Sequence, residues 1–71
     1  MTTSEKYQAA KAERGLTDYQ VAKMAGLPES TLYDWVGRMA EKPYSTMSVG
    51  NMLRVAQALG ITLDDLIGDV S

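Results

Sequence analysis

The sequence predicts an all-α domain of five short helices, and three observations point there. Apolar residues recur at helical rather than alternating spacing, with no hairpin signal between them. Capping residues and glycines punctuate the chain at helix-length intervals: Ser4, Thr17, Ser48 and Thr62 stand before periodic runs, and Gly15, Gly26 and Gly60 stand after them. The 71 residues, 45% of them hydrophobic, form a single domain, residues 1–71, rich enough in apolar side chains to fold.

The first helix is expected from Ser4, its cap, to Arg14, with Gly15 ending it and Tyr7 and Ala10 on the buried face. The second opens at Thr17, a good N-cap, and Asp18 sits favourably at the positive end of the helix dipole. Val21, Ala22 and Ala25 form its buried stripe, and Gly26 stops it as a residue that tolerates positive φ. The third begins around Pro28, where the missing N–H costs nothing. Leu32, Trp35 and Val36 face the core, Gly37 is expected to end the helix, and a loop, RMAEKPYSTM, follows. Ser48 then caps VGNMLRVAQAL, in which Met52, Val55, Ala56 and Leu59 give i, i+3, i+4, i+7 spacing. Thr62 caps a last short turn, LDDLI, closed by Gly68.

Composition narrows the function. With no Cys and no His, the chain offers neither a disulfide nor the usual metal ligands and nucleophilic pairs. Asp64 and Asp65 are neighbours on a helix and point in different directions, and no Gly-rich phosphate loop appears, so neither an enzyme nor a bound metal or cofactor is expected. No apolar run approaches the ~18 residues of a membrane span, and the N-terminus lacks the apolar stretch of a signal peptide; a cytoplasmic protein is expected. Net charge is −2, against the basic balance typical of nucleic-acid modules. The charge is unevenly spread, however. Asp64, Asp65 and Asp69 lie near the C-terminus, and residues 1–63 carry 7 basic against 6 acidic groups.

The segment TDYQVAKMAGLPESTLYDW, Thr17 to Trp35, reads as two helices joined by a tight turn at Ala25-Gly26-Leu27, the pattern of a helix-turn-helix over about residues 17–36. With the preceding Gly-Leu, the fourth helix NMLRVAQALGI and the ending ITLDDLIG, the chain resembles the Cro/C1-type (XRE) helix-turn-helix family of phage and bacterial transcriptional regulators. The resemblance covers roughly Tyr7 to Gly68. It implies a five-helix, lambda-repressor-like DNA-binding domain that binds operator DNA through its third helix, usually as a homodimer. It places Glu29, Ser30, Tyr33 and Asp34 at or near base edges. Thr17, Asp18, Arg38 and Lys42 fall nearer the backbone of double-stranded DNA, with Lys23 helping from the second helix.

Each assignment has a plainer alternative. Glu29 can accept from the amino group of cytosine, or it can simply favour the helix dipole. Ser30 can read a base or satisfy a local amide. Tyr33, an aromatic on an exposed face, points to contact with DNA or a partner. Asp34 either approaches DNA, where phosphate would repel it, or pairs with a nearby cation. Trp35 belongs to the core, where its indole N–H needs an acceptor. Arg38 and Lys42 either straddle phosphates or belong to a solvated loop.

The chain departs from the family pattern in three ways. The stretch from Gly37 to Met47 is about five residues longer than the usual short turn. Val36 stands where many members carry an acid that pairs with a base on the first helix, so Lys11 is expected to lack that partner. The third helix lacks the usual Arg, Lys or Gln. Ile67 and Val70 are expected at a two-fold interface. The competing function, motivated by the negative net charge, is a protein-interaction module on the same scaffold, antitoxin-like, with a toxin or another regulator as partner.

Overall fold

A computed structural model describes residues 2–67. Among them are five helices and no strand: α1, Thr3–Glu13; α2, Asp18–Ala25; α3, Glu29–Glu41; α4, Val49–Leu59; and α5, Leu63–Ile67. The all-α expectation holds, and local chemistry accounts for most of the boundaries. Thr17 accepts from the Gln20 N–H while Gln20 reaches back to the Thr17 N–H, a reciprocal capping box. Thr62 and Asp65 repeat the device at the start of α5. Ser48 caps α4 through the Asn51 N–H.

Helices α1, α2 and α4 all end in one way. Gly15, Gly26 and Gly60 take positive φ of 66°, 70° and 71°, and the residue after each donates its N–H back five positions, to Lys11, Ala22 and Ala56. Gly68, expected to close the last turn, lies outside the described residues.

Two boundaries differ from expectation. Thr2 rather than Ser4 caps α1, because Thr2 has Glu5 three residues on to complete the box, whereas Ser4 has Tyr7 there. Helix α3 runs through Gly37 to Glu41. Gly37 keeps a negative φ inside the helix, and the extra turn is anchored by Met39, which is buried. What stops α3 is Pro43: the residue before a proline is disfavoured in the helical region, and Lys42 has φ −127° and ψ 90°. The loop is therefore residues 42–48, shorter than the sequence suggested.

The core is built around Trp35, which is fully buried. Its ring meets Tyr7 of α1 edge-on, with centroids 5.0 Å apart and an interplanar angle of 68°. Its indole N–H donates to the Ser45 carbonyl at 2.8 Å, so the acceptor its burial requires comes from the loop. A second tie runs from the Ser4 N–H to the Pro43 carbonyl at 3.0 Å. Met47 packs against the core from the end of the same loop, and Val36 lies partly buried beside it. Val21, Ala22 and Ala25 of α2 are buried as their spacing implied, as are Met52, Val55 and Leu59 of α4. The small alanines let α2 and α4 pack closely and hold the helix-turn-helix against the rest of the domain.

Candidate nucleic-acid interface

Helix α3 is strongly two-sided. Leu32, Trp35 and Met39 are buried, while Glu29, Ser30, Tyr33, Asp34, Gly37 and Glu41 are exposed. At 3.6 residues per turn these six fall on one outward arc, so the four expected base-reading residues, Glu29, Ser30, Tyr33 and Asp34, do share a face. Tyr33 is 45% exposed, so part of its ring is open to a partner from outside. Pro28 gives α3 no side-chain cap, whereas side chains cap α1, α2 and α4. The first-turn amides of α3 therefore face outward without a side-chain acceptor at the cap.

The charges on this helix are mainly negative, with Glu29, Asp34 and Glu41 against Arg38. Arg38 Nε lies 3.2 Å from the Asp34 carboxylate, one turn away, and both side chains are well exposed. Such a surface pair contributes about 0.3–0.5 kcal/mol and yields readily to a stronger anion. Arg38 and Lys42 do not flank a long loop as expected. They occupy the last turn and the C-terminal cap of α3, ~14 Å and ~20 Å along the axis from Glu29 at 1.5 Å per residue. On α2, Lys23 is exposed, and its ammonium lies 5.4 Å from the centroid of the equally outward Tyr19 ring.

The start of α2 is built differently from what the sequence suggested. Asp18 Oδ1 accepts from the Tyr7 hydroxyl at 2.6 Å and from Lys11 Nζ at 2.7 Å. Lys11, expected to lack its partner at the end of α3, thus finds a carboxylate at the start of α2, and its ammonium also lies 5.2 Å from the Tyr7 ring centroid. Asp18, expected near the DNA backbone, is drawn inward by two donors. Partial burial opposes its charge, but the hydrogen bonds from Lys11 and Tyr7 outweigh burial and hold its carboxyl below the usual carboxylate range. Burial first, and then the bond to Asp18, push the Tyr7 phenol well up. Thr17 Oγ1 accepts from the Gln20 N–H, and the hydroxyl hydrogen remains to donate.

A scan of family descriptions matches a Cro/C1-type helix-turn-helix DNA-binding domain over residues 10–71. The chain belongs to the Cro/C1-type helix-turn-helix DNA-binding family. It is also similar to a protein of Azospirillum brasilense named as the DNA-binding transcriptional regulator NtrC, at 39% identity over 62 residues. That match covers 82% of this chain and 13% of the relative, so the chain corresponds to a domain-sized part of it. No solved structure matches the chain.

Within the family frame, α2 and α3 are the helix-turn-helix pair. No helix among the described residues is long and apolar enough to cross a membrane. No His, Cys, Asp and Glu side chains among them gather as a metal site would require.

The sequence reading missed two features. Arg54 of α4 lies beside the turn between α2 and α3: a Cβ at Gly26 would stand 3.8 Å from its Nη1. Val49 and Leu53 form the exposed apolar residues of α4, while Ile67, expected at an interface, packs partly buried against the core. Val70 lies outside the described residues. Spacing held the clue for Val49 and Leu53, which are one turn apart and off the Met52–Leu59 stripe. The approach of Arg54 to Gly26 links distant parts of the chain and leaves no local signal.

Proposed function

We propose that this chain is a sequence-specific regulator of transcription, a phage- or prophage-type repressor that binds operator DNA as a cytoplasmic homodimer. One observation carries the reading: Glu29, Ser30 and Tyr33 stand together on the outward first turns of α3, over an inner face anchored in the core by Leu32, Trp35 and Met39. A rigid helix presenting polar side chains at its N-terminal end is what major-groove readout uses. Glu29 accepts from a cytosine amino group, Ser30 donates to or accepts from a base, and Tyr33 packs on a thymine methyl or donates to phosphate.

With the first turn on base edges, residues ~14–20 Å further along α3 overrun a groove about 12 Å wide and reach its flanking phosphates. Arg38 and Lys42 take that position, Arg38 leaving Asp34 to do so. Lys23 and the Thr17 hydroxyl serve the backbone from α2. Asp34 tempers Arg38 rather than reading a base, and Asp18 orients α2.

Fluorescence anisotropy with labelled intergenic DNA next to the gene tests these roles. Arg38→Ala is expected to weaken matched and scrambled duplexes alike and to lower the salt slope by about 0.9. Ser30→Ala and Glu29→Ala are expected to change base preference, by about 1–3 kcal/mol where a good contact is lost. Equal losses on every duplex from both kinds of substitution would contradict the assigned roles.

The homodimer follows from operator reading, since one reading helix covers a half-site and the second lies ~34 Å away. Val49 and Leu53 on the outer face of α4 are the proposed contact. Leu53→Glu is expected to abolish cooperative binding to a two-half-site duplex while leaving half-site binding intact. Unaltered cooperativity would move the dimer contact elsewhere.

The acidic arc of α3 is the observation that favours a protein-interaction module instead. Under that reading a basic partner protein is retained on the arc, and neither matched nor scrambled duplex binds.

A further inference from the structure

We infer that Arg54 is a phosphate-binding residue that clamps the DNA backbone beside the turn of the helix-turn-helix. The inference rests on the DNA-binding reading above and adds a contact from α4, outside the α2–α3 pair. Arg54 sits on the exposed side of α4, and its guanidinium lies against Gly26, with Nη1 3.8 Å from where a Cβ would stand. Gly26 is three residues before Glu29, the first residue of α3, so the guanidinium flanks the entrance of the reading helix.

The charge setting favours the assignment. Among the described residues, Lys11 and Arg38 are the cations with a carboxylate within salt-bridge distance; Arg54 has none. An exposed guanidinium with no anion beside it among the described residues keeps its N–H donors for an incoming one, and its planar fork matches phosphate geometry. Burial elsewhere on α4 fixes its base. Met52, Val55 and Ala56 around it are in the core, so the helix holds still and only the side chain must be ordered. Arg54 thereby supplies positive charge beside the first turn of α3, the end that Arg38 and Lys42 do not reach. Phosphate contact is distributed to both ends of a helix whose own outward face is acidic.

The test measures DNA affinity by fluorescence anisotropy across a salt series, on one matched and one scrambled duplex, for the wild-type protein, Arg54→Ala and Arg54→Lys. Circular dichroism melts of each serve as the folding control. The expected result for Arg54→Ala is a salt slope lower by about 0.9, a loss of the same factor on both duplexes, and an unchanged melting temperature. Arg54→Lys is expected to recover the slope, since it restores the point charge. An unchanged slope in Arg54→Ala, with wild-type binding intact, would overturn the inference alone. A slope loss accompanied by a lowered melting temperature in Arg54→Ala and no recovery in Arg54→Lys would assign Arg54 to holding the turn and overturn it as well. Absence of salt-dependent binding by the wild-type protein would overturn the DNA reading and this inference together.

Discussion

Replacing Trp35 with alanine is expected to remove about half or more of the domain's stability. A globular chain of 71 residues has a stability of roughly 4–10 kcal/mol at the usual 0.05–0.15 kcal/mol per residue. Truncating a buried tryptophan costs ~3–5 kcal/mol, because the transfer energy is lost and the cavity collapses only in part. Here the loss is at the upper end for structural reasons. Trp35 is the largest fully buried side chain, its ring supports Tyr7 of α1, and its indole N–H holds the Ser45 carbonyl of the 42–48 loop. One truncation therefore detaches α1 and the loop from α3 together. Trp35→Phe keeps much of the volume and the aromatic contact but not the N–H, and is expected to cost about half as much. Circular dichroism thermal melts decide. Each kcal/mol shifts the midpoint of a domain this size by ~4–8 °C, so a fall below about 10 °C for Trp35→Ala would contradict the central role of this residue.

The second large effect is expected at Asp18. Asp18→Ala removes the acceptor of the buried Tyr7 hydroxyl and the counter-ion of Lys11, which is only 17% exposed. Leaving both donors unpaired costs roughly 2–3 kcal/mol. Asp18→Asn keeps an acceptor without the charge and is expected to lose about 1 kcal/mol.

The carboxylate also sets a pH dependence. Its folded pKa lies below the ordinary 3.8, so at acid pH the unfolded chain takes up the proton first. The stabilisation is complete above 3.8 and is lost as pH falls through the lower folded value. Glu5, lowered by its hydrogen bond to the Thr2 backbone, acts in the same direction. Urea midpoints measured on wild type and Asp18→Ala from neutral pH down through this range should converge as the pH falls. Parallel curves would show that the Lys11–Asp18–Tyr7 cluster does not contribute as a charged network.

What the sequence disclosed and what it hid divide along a physical line. Helix starts at Thr17, Ser48 and Thr62, and stops at Gly15, Gly26 and Gly60, are written in contacts spanning three to five residues, which spacing reveals. The shared outward face of Glu29, Ser30, Tyr33 and Asp34 was legible for the same reason, being a matter of helical period. Gly37 misled because a glycine stops a helix only where the chain adopts positive φ, and here burial of Met39 carried α3 on until Pro43 intervened. The partner of Lys11 lay across a turn, in the angle between α1 and α2, and Arg54 met Gly26 across the domain. Those contacts are set by how whole helices pack, which no local pattern encodes. The acidic balance of α3 was plain in the sequence. The structure adds where the compensating cations stand: Arg38 and Lys42 at one end of α3, Arg54 at the other.

The most direct test of DNA reading by α3 is selection of duplexes bound by the purified protein from a random double-stranded library, followed by anisotropy on the recovered sequence. The expected outcome is a two-fold symmetric motif with half-sites about one helical turn apart, bound in a salt-sensitive manner and weakened or re-specified by Ser30→Ala. A library that yields no enriched sequence, or one bound no better than random DNA, would contradict the account of α3 as a reading helix.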